Sequence, residues 1–257
     1  MKHYIVGVII IFGILFSSYH SYSTKIAGER ELREAYNLLE NEVASPYAYL
    51  PPENIDEYQE SLYVKSSYSS GSTAKNLEVN FYPQSPFGKW GPIFNDTCEE
   101  ASALLAFNYI TSSPQTRIEF RDELLGMVDW QNKTFGNYKH TNVAQTAQML
   151  EEYLGFKNYE IIDNPTVDEV KNVINNGNIM IAPFYAKHMN PNYLNGGPNY
   201  HFMVIKGYTQ TDFITHDVGT KYGKDYRYSQ EIIMERIHDY HPDDMTLGDK
   251  KIIVLKK

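Results

Sequence analysis

Residues 101–110, Ala-Ser-Ala-Leu-Leu-Ala-Phe-Asn-Tyr-Ile, are almost all small or apolar. Such a run suits a buried helix, and the rest of the chain has to supply the layers around it. The start of this helix is marked. Thr97 followed three residues later by Glu100 is a capping-box pattern, with Thr97 as N-cap. That puts Cys98, the only cysteine in the chain, at the first helical position. Unpaired backbone N–H groups and the positive end of the helix dipole gather there. A thiol so placed ionises more easily, and the thiolate is the nucleophile. A lone cysteine is also a small buried hydrophobe, and position alone leaves both readings open. Glu99 and Glu100 add a tension: negative charge suits a first helical turn, yet beside a thiol it raises the thiol pKa.

The chain has 257 residues, enough for one domain of ordinary size with appendages. A net charge of −9 and the lack of a basic run argue against nucleic acid as a partner. A single cysteine allows no intrachain disulfide. His188, His201 and His216 share no short spacing, so neither a metal site nor a cofactor is expected. At the N-terminus Lys2 precedes apolar residues 4–16, and small polar residues follow to Ser23. This is the layout of a secretory signal; the run is shorter than the ~20 residues a spanning helix needs. The expected location is extracytoplasmic, with residues 1–23 either cleaved or holding the chain to a membrane through residues 4–16.

Leu32, Ala35, Leu38 and Leu39 recur at helical spacing within 24–43, an amphipathic helix. Residues 45–74 are rich in Pro, Ser, Gly and Tyr and read as a loosely packed arm. The helix and arm are therefore taken as 24–75 and the folded domain as 76–257. Within it, 76–82 alternates like a strand, and a Pro- and Gly-rich loop, 83–92, leads to the Cys98 helix, which ends before Pro114. Helices are predicted over 115–128, 142–154 and 166–175, the last with Thr166 as N-cap and Glu169 closing a capping box. Strands are predicted at 158–162, 179–184, 201–207, 212–217 and 251–255, with a further helix over 229–238. Helices followed by a run of antiparallel strands make the α+β class.

Residues 201–207 and 212–217 form a hairpin. Antiparallel partners have a constant sum of residue numbers. A turn centred on Thr209 makes Asp217 the direct partner of His201, with both side chains on one face and His216 on the other. A carboxylate beside an imidazole fixes its tautomer and orientation, which is the base-and-orienter pair a cysteine nucleophile needs. An ordinary surface His–Asp pair has the same sequence appearance. An oxyanion needs two donors. The Cys98 backbone N–H is one; Gln84, from the upstream loop, is the candidate for the other, with Asn95 as competitor.

Taken together, Pro83-Gln-Ser-Pro-Phe-Gly-Lys-Trp90, Asp96-Thr-Cys-Glu-Glu-Ala-Ser102, Tyr200-His-Phe-Met-Val-Ile-Lys-Gly-Tyr208, Asp217-Val-Gly-Thr220 and Tyr226-Arg-Tyr228 resemble the C39-like family of papain-fold cysteine peptidases, in its extracytoplasmic branch. The resemblance covers 77 to the end. It implies a papain-like fold in which the Cys98 helix packs on a sheet carrying His201 and Asp217. It further implies that Cys98 is the nucleophile, His201 the base, Asp217 the orienting acid and Gln84 the oxyanion-hole residue. The function so implied is a secreted thiol hydrolase that cleaves a peptide or other amide through a thioester acyl-enzyme. The bacteriocin-processing members differ: their glutamine lies closer to the cysteine and a Gly follows it, where this chain has Glu99 and Glu100. The alternative from another class is a catalytically silent binding module at the cell surface that keeps the fold. The signal pattern predicts that mass spectrometry of the native protein finds a mature chain starting near Ser23 or Thr24; intact Met1 in the cytosol would contradict it.

Overall fold

The computed structural model describes residues 74–257. The expectations placed on 1–73, namely the signal, the amphipathic helix and most of the arm, lie outside the described residues. Among the described residues there are seven strands and five α-helices, with most of the helices ahead of most of the strands. The helices are α1 Cys98–Thr111, α2 Arg117–Phe135, α3 Val143–Glu152, α4 Val167–Asn175 and α5 Gln230–Arg236. The strands are β1 Lys75–Asn76, β2 Tyr159–Asp163, β3 Ile179–Tyr185, β4 Tyr200–Tyr208, β5 Asp212–His216, β6 Tyr226–Ser229 and β7 Lys251–Leu255. They form one sheet in the order β2-β7-β3-β4-β5-β6, with β1 beside β4, and every pairing is antiparallel. This is the α+β, papain-like arrangement.

The centre of the sheet is buried along its length. All nine residues of β4 and six of the seven in β3 are buried. Both read as unbroken apolar runs because packing covers them on both faces. Helix α1 lies against β3 and β4 and also meets α2 and α3. Its first nine residues are all buried, which is why its sequence lacks a polar stripe. Among the described residues, no helix is long and apolar enough to cross a membrane.

Several expectations change on contact with the structure. Thr97 precedes α1, but its hydroxyl makes no cap; it donates to the Gln84 carbonyl at 3.3 Å. The capping boxes of Thr116, Asn142 and Thr166 form, at sites where the cap side chain reaches back to the helix. Helix α2 runs seven residues past the expected end at 128, through a stretch of mixed burial that includes the exposed polar residues 132–134. The alternating stretch 76–82 pairs as a strand only at its start. Beyond it, the Val79 carbonyl is taken by the His216 ring, at 2.9 Å, in place of a ladder bond. Strand β6 has no counterpart in the sequence reading. Leu104 lies fully buried in α1. Leu104→Ala is expected to lower stability by about 2–5 kcal/mol in urea denaturation, the range for a leucine cavity in a rigid core.

Candidate active site

His201 is the second residue of β4, and Asp217 is the first residue after β5. Their strands pair Val204 with His216 and Ile205 with Thr215, then shift register between Ile205 and Gly207. The shift corrects the direct pairing expected from a symmetric turn. Continued along the strand, the observed register sets Asp217 opposite Met203, diagonal to His201. Diagonal neighbours share a face, so the side chains still meet: His201 Nε2 lies 2.8 Å from Asp217 Oδ1. His216 points the other way, as expected. It takes a hydrogen bond at Nδ1 from the Asp225 backbone and stays neutral, because burial, then the Lys206 charge, pushes its pKa down to about 3.

Asp217 is fully buried and meets five donors. Oδ1 faces His201 and accepts from the Gly219 backbone N–H at 3.1 Å. Oδ2 accepts from Asn190 at 2.8 Å, Tyr193 at 2.7 Å and Tyr228 at 2.6 Å. Burial alone would raise its pKa, but the bond and charge of His201, with the two tyrosine hydroxyls, outweigh it and hold the carboxyl below the usual aspartate range. The loop after Asp217 closes by a bond from its backbone N–H to the Gly223 carbonyl at 2.9 Å. Two glycines there are required by close approach. A Cβ on Gly223 would lie 1.7 Å from the Asp217 carbonyl oxygen, and one on Gly219 would lie 2.9 Å from His201 Cε1. The Tyr193 ring stands edge-on to His201, with centroids 5.7 Å apart.

Cys98 opens α1 with its sulfur buried. The thiol donates to Glu99 Oε2 at 2.9 Å. Among the described residues its side-chain hydrogen bond goes there, not to His201. The backbone N–H of Phe202, the residue after His201, faces the sulfur and favours its ionised form. Against this, burial first and Glu99 second push the thiol pKa well above its ordinary value. The helix start is thus not enough to ionise this thiol, contrary to the expectation from position alone. Glu99 is itself pushed up to about 7 by burial, with the Cys98 bond opposing, and Glu100 is raised by burial and by Glu99. Glu100 is held by Gln131 of α2.

Gln84 is buried but does not aim its amide into the space beside the Cys98 N–H. Its Nε2 donates to the carbonyls of Phe94 at 2.9 Å and Asn95 at 3.1 Å, which uses both hydrogens. Its backbone N–H donates to Val218 at 2.9 Å, and its carbonyl accepts from Thr97. Gln84 therefore ties the start of α1 to the Asp217 loop. Asn95, the competitor, is exposed.

The structure brings His201 and Asp217 together and sets Cys98 beside the strand that carries His201. Sequence reasoning missed Asn190 and Tyr193 as supports of Asp217, and Gly219 entered it only within the shared stretch Asp217-Val-Gly-Thr220. Asn190 and Tyr193 lie in the loop before β4, where no periodicity marks a role. Tyr228 was visible only as part of a shared motif.

The model of the Peptidase_C39 like family matches residues 76–241. Among solved structures, a crystal structure assigned to a C39-like peptidase from Bacillus anthracis is similar at 14% identity and a TM-score of 0.49, covering 71% of this chain and 98% of that one. No curated protein sequence matches the chain.

A carboxyl with a lowered pKa stabilises the fold fully above the unfolded aspartate value near ~4, and that stability is lost as the pH falls through the folded value. Acid titration of stability is therefore expected to be steeper for the wild type than for Asp217→Asn between the unfolded and the lower folded value; parallel curves would mean that Asp217 is not held ionised.

Proposed function

The chain belongs to the Peptidase_C39 like family, and from that premise we propose that it is a secreted cysteine peptidase or amide hydrolase acting through Cys98, His201 and Asp217. The observation that carries this reading is the buried His201–Asp217 pair on the strand whose next residue, Phe202, faces the Cys98 sulfur. Asp217 occupies Nε2 of His201, which leaves Nδ1 as the nitrogen for catalysis.

In the proposed reaction the Cys98 proton passes to His201 Nδ1 and the sulfur attacks the carbonyl carbon of the scissile amide. The developing oxyanion is met by the Cys98 backbone N–H. Gln84 becomes the second donor only by releasing one of its two loop carbonyls, and substrate binding is the step at which that exchange would occur. His201 then protonates the leaving amine and the C–N bond breaks, giving a thioester. Water attacks the thioester, gives its proton to His201, and releases the acid with the thiol restored. Asp217 stays ionised and holds the ring in one tautomer. The substrate is a peptide or a related amide, outside the cytoplasm if residues 1–23 act as the export signal; residues 4–16 are the segment that would attach the chain to a membrane.

The test is a peptide library read by mass spectrometry. By analogy with other nucleophile–His–acid enzymes, Cys98→Ala and His201→Ala should each lower turnover on the order of 10⁶-fold, and Asp217→Asn about 10⁴-fold. Cleavage that persists in Cys98→Ala, or no cleavage of any peptide or amide by the wild type, would overturn the reading.

A further inference from the structure

The Cys98 thiol and the Glu99 carboxyl are neighbours in the first turn of a helix buried over its first nine residues. Both are almost wholly buried, and the S–H points at Oε2 from 2.9 Å. Glu99 Oε1 is buried with no partner among the described residues. A carboxylate there has one oxygen short of a donor, so its charge is less fully stabilised than that of a carboxylate with both oxygens met, whereas a neutral acid needs fewer donors. Asp217 is the contrast inside the same site: equally buried, but met by five donors. One of the two carboxyls is built to stay charged, and the other is not.

We propose that Glu99 is a proton latch on Cys98: as a carboxylate it holds the thiol proton and keeps the sulfur neutral, and as a neutral acid it releases the sulfur and donates its own O–H to the thiolate. The proposal rests on Cys98 being the nucleophile. The proton balance is simple. Glu99 takes one proton from solvent; the S–H proton then passes to His201 Nδ1, and the resulting thiolate is met by the Glu99 O–H and the Phe202 N–H. No oxidant or other co-reactant enters.

The groups around Glu99 oppose its charge. Asp96 from the preceding loop and Glu100 from the helix carry like charge. The Tyr138 and Tyr200 hydroxyls, from the α2–α3 connection and β4, lie within its field. Asp239, after α5, adds a carboxyl at the Tyr200 hydroxyl, 3.4 Å away, and the His140 ring stands against Tyr200. The backbone N–H groups of Glu99 and Thr141 and the Cys98 thiol favour the carboxylate. Burial outweighs them, and the carboxyl titrates near neutrality, at about 7. Neutral Glu99 therefore removes one of the two main causes that hold the thiol protonated and makes the proton easier to transfer, while burial still keeps the resting sulfur as a thiol.

A single cysteine makes the test direct. With isotope-labelled cysteine, the Cys98 Cβ resonance of the full protein is followed against pH without substrate. The wild type should show a small step near 7, where Glu99 titrates beside a sulfur that keeps its proton, and a separate, larger step at high pH where the thiol itself ionises. Glu99→Gln should lose that step and ionise its thiol at lower pH than the upper wild-type transition. Glu100→Gln, equally buried but bonded to Gln131, should keep the step. If Glu99→Gln fails to fold, the reciprocal measurement decides: the Glu99 carboxyl should titrate at higher pH in Cys98→Ala than in the wild type, because the thiol bond that favours its charge is gone. Superimposable cysteine curves in wild type and Glu99→Gln, an equal effect of Glu100→Gln, or an unmoved Glu99 titration in Cys98→Ala would overturn the latch. Loss of the step with no peptide turnover by any form would leave the latch standing and remove the peptidase reading instead.

Discussion

A carboxylate taken out of water must recover its solvation from the protein, or it loses its charge. Asp217 recovers it from five donors drawn from the loop before β4, from β4 itself, from the turn that follows Asp217 and from β6. Each donor is itself placed by something else. Asn190 and Tyr193 need the irregular 186–199 loop to fold back. Gly219 N–H needs a residue without a side chain against the His201 ring. Tyr228 needs β6 in register with β5, where it faces Phe213. The conformation of this whole end of the sheet is therefore tied to one charge. Removing that charge would strand several buried donors at once, which costs more than the loss of any one bond.

The cysteine side is joined to this cluster through backbone rather than charge. Gln84 bonds the Asp217 loop through its N–H, and the approach to α1 through its carbonyl and its side chain. The helix start and the Asp217 turn thus share a brace. That explains how a sulfur and an imidazole more than a hundred residues apart in sequence come to neighbouring positions on α1 and β4. The family resemblance assigns Gln84 to the oxyanion hole, whereas its amide holds the loop before α1 here.

Much of the fold was legible because it is written in periodicity and punctuation. The strand at 251–255 and the α4 capping box of Thr166 and Glu169 match the structure residue for residue. The His201–Asp217 pair was legible because side chains alternate along a strand: the face survived even though a register shift near Lys206 moved the direct partner. What stayed hidden depends on burial, which spacing does not encode. Thr97 looks like a cap, but it is buried and its hydroxyl is drawn to Gln84. Glu99 looks like a helix-dipole residue, but it is enclosed beside the thiol and acts on the sulfur. Asn190 and Tyr193 sit in a loop whose only sequence mark is its richness in turn residues.

The central claim is that Cys98 and His201 act as one reactive unit. Covalent labelling tests it without knowledge of the substrate. The protein is treated with a peptide chloromethyl ketone and followed by intact mass. A single adduct on Cys98, formed at least ~100-fold more slowly in His201→Ala than in the wild type, is the predicted result for a thiol activated by its partner. Equal rates in the two proteins, or no adduct on Cys98 in the wild type, would contradict it.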